Sequence, residues 1–429
     1  MVGLVIRVGD AIDALWRGVG LDLDGYAARE PVRARRLGVW LLAAGQTIGY
    51  ASLYYVFAAL LLTWDTSLDW GKERLTLAFM VAILTGAAVS PFAGRLIDRG
   101  RGRWLLGGGA ALGALALATL GTVESYAAFL MVWIVIGVAQ GSSLYEPCFA
   151  FVTRTTATEA ARNITRITLV AGFASTLAYP TGAFLGELLG WRGATWTFAA
   201  ALGLVGAPLL FAGATLIECC PHASRTAEAV AQDRAAFRTA RRRPEFWLLF
   251  AAFPLIGLTE GLVLTHIIPI LVDAGLSLSD AVFAAALFGP MQVVGRLAMM
   301  RLAGRVSELA MTALSFTGIV VAVLLLMRVE DVPAAAYAFA VLFGASYGLV
   351  SILKPVVAAS VLGRSAFGAI AGVLAVPFLV SLAVAPQVGS SLWRLGGYDL
   401  ALQGGVLTAC LALTALAALA MILRGRRTP

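Results

Sequence analysis

Apolar stretches long enough to cross the hydrocarbon core of a bilayer, roughly 20 residues each, recur along this chain. Twelve are readable, near residues 38–63, 75–97, 104–122, 126–152, 163–188, 193–217, 246–272, 280–303, 307–328, 333–361, 367–394 and 398–423. Within lipid, each such stretch must satisfy its own backbone polar groups, which a helix does. Composition points the same way. Of 429 residues, 60% are hydrophobic and only 13% charged, whereas soluble domains carry about a quarter charged residues.

The longest polar loop, "ECCPHASRTAEAVAQDRAAFRTARRRPE", falls between the sixth and seventh segments. The expected organisation is therefore an all-α membrane protein with twelve transmembrane helices in two six-helix bundles. Its parts are an N-terminal segment 1–37, a first bundle 38–217, a central loop 218–245, a second bundle 246–423 and a tail 424–429. The N-terminal segment reads as a short surface helix followed by a basic stretch, "REPVRARRLG", and it lacks the form of a signal peptide.

Basic residues set the orientation. With both termini cytoplasmic, the inner segments hold 24 of the 32 lysines and arginines and the outer loops hold 5. The remaining three, Arg166, Arg296 and Lys354, fall inside spans. This asymmetry accounts for the net charge of +8 without a nucleic-acid partner. The expected location is the bacterial cell inner membrane, as a monomer with the bilayer as its surroundings. The four cysteines have no metal-ligand spacing, and two histidines form no cluster with acids. No metal, cofactor or enzymatic chemistry is expected.

Six helices followed by six suggests a parallel internal repeat, in which helix n matches helix n+6. Two stretches carry it: "GSSLYEPCFAF", with Glu146 before Pro147, and "GLVSILKPVVA", with Lys354 before Pro355. Each follows a glycine-rich run, "GVAQG" and "FGASYG". The loop after the second helix reads "GRLIDRGRGRW". Its Gly94, Asp98, Arg99 and Arg103 resemble the signature of the major facilitator superfamily, with Arg101 standing where glycine is usual. Further stretches, "GQTIGYASLYYVF", "HIIPILVDAGLS", "VVGRL" and "FGASYG" with "VLGRSAFGAIAG", are similar to the branch of monocarboxylate transporters and oxalate–formate antiporters.

The resemblance implies a secondary transporter of a small organic anion working by alternating access, either coupled to protons or by exchange. It implies that Arg296 on the eighth helix binds the substrate carboxylate. It also implies that Asp98 sits against the N-terminal end of the eleventh helix near Gly368, with Arg99 and Arg103 on the same seam. Tyr54 and Tyr55 stand in the region where some members keep a lysine. An exporter of drugs or amphipathic metabolites with the same fold is the alternative, favoured by a cavity more aromatic than cationic.

Ionisable groups inside spans are expensive, and so are candidate sites. Arg296 can grip a carboxylate with two parallel hydrogen bonds, or it can be structural, bonding carbonyls or reaching the interface. Glu146 and Lys354 are readable as a gate pair, as a proton site and a second positive charge for substrate, or as a static pair. Glu260 and His266 lie six residues apart on one helix, on different faces, and are separate proton candidates. His266 is also readable as a packing residue. Gln46, Tyr50 and Tyr54, spaced by four, form a polar and aromatic stripe suited to a cavity wall. Tyr347, on the tenth helix, joins Arg296, Lys354 and this stripe as a substrate-binding candidate.

Overall fold

The computed structural model describes residues 22–156, 159–220, 237–302, 305–363 and 367–425. The first span, α1, runs Pro31–Leu68. It starts seven residues before the sequence-based boundary, for two reasons. Proline occupies its first turn, where the missing N–H costs nothing. Its first turns also have apolar partners: Ala34 packs with Ala27 of a short helix, Leu23–Arg29, and with Leu216 and Cys220. The stretch "RARRLG" is thus helical and continuous with the first span.

Next come α2 (Lys72–Asp98), α3 (Gly102–Leu120) and α4 (Tyr126–Thr156). Helical structure then runs from Arg162 to Glu218, 57 residues. At 1.5 Å per residue this would be about 85 Å, nearly three times the hydrocarbon core. The run breaks at Gly190, whose φ of 67° leaves the helical region, so it is two spans, α5 (162–189) and α6 (191–218). The second half holds α7 (Pro244–Asp273), α8 (Leu278–Leu302), α9 (Glu308–Leu326) and α10 (Ala335–Leu362). The stretch Phe367–Gly425 breaks at Gly396 and Gly397, the latter at φ 68°, giving α11 (367–395) and α12 (398–425). Among the described residues the spans number twelve. Their outer faces carry large apolar side chains, among them Met131, Phe184, Leu204, Leu314, Leu407 and Met421, each more than half exposed, as a lipid-facing surface requires.

Contacts divide the chain into two compact units, Met1–Ala223 and Ser224–Pro429. Each repeats one pattern of neighbours: α4 packs on α2 and α3 in the first, and α10 packs on α8 and α9 in the second. The glycine-rich runs explain this repeat. Gly137 and Gly141 of α4 lie against the backbone at Ala82 and Gly86 of α2. Gly344 and Gly348 of α10 lie against Phe288 and Gln292 of α8 in the same way. Small residues four apart let two backbones touch in a bilayer, where dispersion and backbone contact hold helices together.

The signature loop is a Schellman turn. Gly100 N–H donates to the Ile97 carbonyl and Arg101 N–H to the Leu96 carbonyl, at 3.0 and 3.1 Å. Gly100 supplies the positive φ of 70°. Arg101 keeps a negative φ of −116°, so nothing in this turn demands glycine there.

Candidate functional site

In the first unit, the candidate residues of α1 are set by two helix irregularities. Pro147 has no N–H to give to the Ser143 carbonyl four residues back, and α4 breaks at Leu144, whose backbone is extended. Gln46 fills the vacancy: its Nε2 donates to the Ser143 carbonyl at 2.6 Å. On α1 the helix widens into a π turn at Ala51–Tyr55, which displaces its carbonyls from their usual donors. Gln140 of α4 donates to the Leu53 carbonyl there at 2.7 Å. The two amides thus cross between the same pair of helices, each repairing the other's defect.

This clasp presents a tyrosine cluster. Tyr50 lies 5.9 Å from Tyr54, 6.4 Å from Tyr55 and 4.2 Å from Tyr145, centroid to centroid. Tyr55 contacts Tyr179 of α5 at 5.8 Å, and Tyr145 stacks on Phe149 at 4.7 Å. Tyr55 and Tyr179 are buried, while Tyr50, Tyr54 and Tyr145 are half-buried and Glu146 beside them is exposed. Glu146 lies within electrostatic reach of the Tyr50 hydroxyl. Gln46, by contrast, is fully buried, so it positions this wall without forming its surface.

In the second unit, Arg296 is only 3% exposed. The close approach at Gly348 brings its Nε to the Gly348 carbonyl at 3.0 Å. Its Nη2 donates to Gln292 Oε1 at 3.4 Å and to Ser351 Oγ at 3.5 Å. The Nε2 of Gln292, also buried, has no hydrogen-bond partner among the described residues. A guanidinium and an amide N–H without an acceptor among the described residues thus meet on the α8–α10 seam, beside the Ser351 hydroxyl, which itself donates to the Gly348 carbonyl at 3.3 Å.

One turn along α10 from Ser351, the Lys354 ammonium sits over the Phe378 ring of α11, 4.0 Å from its centroid, a contact worth about 0.5–2 kcal/mol. The Glu260 carboxylate of α7 lies within its field. Glu260 is fully buried, and neither of its oxygens has a hydrogen-bond partner among the described residues. His266 is buried elsewhere on α7. Its Nε2 faces the Pro386 carbonyl at 3.0 Å and the Ser390 hydroxyl at 3.4 Å, while the Tyr398 hydroxyl is 3.5 Å from Nδ1. That arrangement suits a neutral ring donating from Nε2 and accepting at Nδ1. Tyr347 stacks on Phe343 at 6.0 Å, within an aromatic ladder that includes Phe339 and Phe288.

Of the signature residues, Gly94 has open space around its Cα, and Arg99 is exposed. The side chain of Asp98 lies outside the described residues, as do those of residues 364–369, which lead into and begin α11. Arg103 bonds Asp24 of the short Leu23–Arg29 helix at 2.9 Å. The Cys219 thiol donates to the same carboxylate oxygen at 2.9 Å. Burial and, after it, this Asp24 contact push the thiol up to about 12. At the same end Glu218 accepts from the Gly102 and Arg103 amides at 2.9 and 3.3 Å, a carboxylate at the positive end of α3.

Sequence reasoning did not single out Ser351, Phe378, Tyr145, Glu218 or Asp24 for these roles. Ser351 lies three residues before Lys354 and so on the same stripe, a spacing legible in hindsight. Phe378 and Asp24 carry no such mark, because their partners are far away in the chain.

Twelve apolar spans among the described residues, with buried charges such as Arg296 and Glu260 inside them, define a multi-pass membrane protein. The chain belongs to the major facilitator superfamily: residues 42–386 match the family model described as "Major Facilitator Superfamily". No curated protein matches it significantly in sequence. Among solved structures it is similar to a bacterial homologue of the human lysosomal transporter Spinster, inward-facing and unoccupied, with 14% identity and a TM-score of 0.64. That match covers 90% of this chain and 96% of the other. It is also similar to the nucleoside transporter NupG, with 11% identity and a TM-score of 0.68 over 90% of this chain and 99% of that one. At such identities the likeness concerns the fold.

Proposed function

We propose that this chain is a secondary active transporter of a small, monocarboxylate-like organic anion, moved by alternating access. The observation that carries this reading is the pairing of the Arg296 guanidinium with the unpartnered Gln292 Nε2 on the α8–α10 seam. A guanidinium always carries its charge and matches the planar geometry of a carboxylate. Held at Nε by the Gly348 carbonyl, it is already oriented, and the buried Gln292 amide supplies an N–H in want of an acceptor. Lys354, one turn away, adds a second positive charge. In this reading Tyr50 and Tyr54 of the first unit, and Tyr347 of the second, are further substrate-binding candidates. The termini and the central loop face the cytoplasm of a bacterial cell, as the basic residues suggest, and the transporter works as a monomer with bundles at 38–217 and 246–423.

A second reading, export of amphipathic or cationic compounds, is favoured by one observation: half-buried Tyr50, Tyr54 and Tyr145 stand beside exposed Glu146. Aromatic faces and a carboxylate are chemistry for a cation. The fold itself does not choose, since folds of this kind host many cargoes. The test is flux through purified protein in liposomes, with labelled formate, lactate and oxalate in one arm and labelled tetraphenylphosphonium in the other. Saturable carboxylate flux with no tetraphenylphosphonium flux is expected. The opposite pattern would install the second reading.

A further inference from the structure

We propose that the α1–α5 seam holds a site for a monovalent cation of the sodium class, built from Ser52, Ser175 and the backbone carbonyls around them. The site lies within the first unit and rests on neither cargo reading above. Ser52 is 1% exposed and Ser175 0%, and neither hydroxyl has a hydrogen-bond partner among the described residues. A hydroxyl on a membrane helix commonly donates to the carbonyl four residues back on its own helix. Thr47, Ser143, Thr155 and Thr195 do so, at 2.7–2.9 Å. Ser52 and Ser175 do not, and a buried hydroxyl left in that state is costly.

Helix packing brings the two serines to one level. Before its π turn, α1 packs on the stretch of α5 that ends at Ala171. The π turn Ala51–Tyr55 packs on the stretch that begins at Ala174. One turn beyond the serines, the Tyr55 and Tyr179 rings meet at 5.8 Å. A further turn on, a Cβ at Gly182 would lie 2.6 Å from that of Ala59. Positions 52, 55 and 59 share one stripe of α1, and 175, 179 and 182 share one stripe of α5. The contacts at 55–179 and 59–182 therefore set a register, which puts Ser52 opposite Ser175.

Both helices are irregular at this level. Ser52 lies in the π turn, where carbonyls are displaced from their usual donors. On α5 the helix is interrupted at Gly172–Phe173. The Phe173 N–H donates three residues back, to the Val170 carbonyl at 3.1 Å. Hydroxyl oxygens and carbonyls at breaks in membrane helices are ligands for a hard cation. Residues 48–59 and 172–182 include no His, Cys, Asp or Glu. That donor set suits a transition metal poorly, and a doubly charged ion would stay uncompensated. A singly charged ion that accepts neutral oxygens fits. Tyr55 also lies 6.4 Å from Tyr50, so an ion at this level bears on the tyrosine cluster of the candidate site.

Two measurements on the full chain purified in detergent test the site. The first is the melting temperature in sodium chloride against choline chloride at equal ionic strength. Wild type should melt about 3 °C or more higher in sodium, because an ion that binds only the folded protein stabilises it. Ser52→Ala and Ser175→Ala should lose that rise. In choline both variants should match wild type, since each removes a hydroxyl that bonds nothing in the protein. The second is binding of radioactive sodium at equilibrium, which should fall by more than about tenfold in either variant. Equal melting temperatures of wild type in the two salts, with no more sodium bound than by Ser52→Ala, would overturn the site and leave a water molecule between the serines. Neither measurement involves a carboxylate. Sodium binding by a protein without carboxylate flux would sink the anion reading and keep the site, and the converse result would do the reverse.

Discussion

Gln46 on α1 donates its side-chain amide to the Ser143 carbonyl on α4 at 2.6 Å, occupying the acceptor that Pro147, lacking an N–H, leaves open. With Gln140 reaching the Leu53 carbonyl in return, each helix carries a defect that the other repairs. The defects lie beside the tyrosine cluster, so the clasp is part of how that cluster is held.

Replacing Gln46 by leucine should therefore leave a buried carbonyl unsatisfied. The expected cost is about 1–3 kcal/mol, read as a melting temperature several degrees lower in detergent. Gln140→Leu should do the same, and the double variant should lose less than the sum, because both residues act on one helix pair. An unchanged melting temperature in both single variants would contradict the clasp.

Gly137 is expected to tolerate no side chain. A Cβ there would run into the Ala82 carbonyl of α2, and one at Gly141 would meet Gly86. Gly137→Val should separate α2 from α4 at a cost of about 1–3 kcal/mol or more, seen as poor yield of folded protein. Valine at Gly94, where the surroundings are open, serves as the tolerant control.

The Cys219 thiol offers a pH readout at the end of α6. Raised to about 12 by burial and by Asp24, it stays protonated at neutral pH and should react slowly with maleimide, the rate climbing with pH. Asp24→Asn removes a negative charge and an acceptor, which lets the thiolate form at lower pH. In a protein whose other three cysteines are serine, labelling at pH 8 should accelerate about tenfold for each unit that the thiol falls. Equal rates in the two proteins would mean that Asp24 does not hold the thiol.

Much of the architecture was legible from residue order. Among the described residues the twelve apolar runs of membrane length are twelve helical spans, because a helix satisfies its own backbone in lipid. The glycine pairs before Glu146 and Lys354 mark the α2–α4 and α8–α10 seams. What escaped was tertiary. The π turns at Ala51–Tyr55 and Leu202–Gly206 break no hydrophobic pattern; the first is stabilised by Gln140, 87 residues away from Leu53. The early start of α1 at Pro31 follows from contacts of Ala34 with Leu216 and Cys220, which no local rule reveals among four arginines in a row of eight residues. Arg296 was legible as a charge in a span. That it would be gripped by the Gly348 carbonyl, and that Lys354 would lie over Phe378, depends on which helix faces which.

The anion anchor is the central claim, and one measurement reaches it most directly: initial flux of labelled formate, lactate and oxalate into liposomes containing wild type, Arg296→Lys or Arg296→Gln. Loss of charge-assisted hydrogen bonds costs about 1.5–3 kcal/mol, so Arg296→Gln should lower carboxylate flux by more than about tenfold at low substrate. Arg296→Lys, which keeps the charge but loses the two-pronged geometry, should fall between. Carboxylate flux in Arg296→Gln equal to that of wild type would contradict the account.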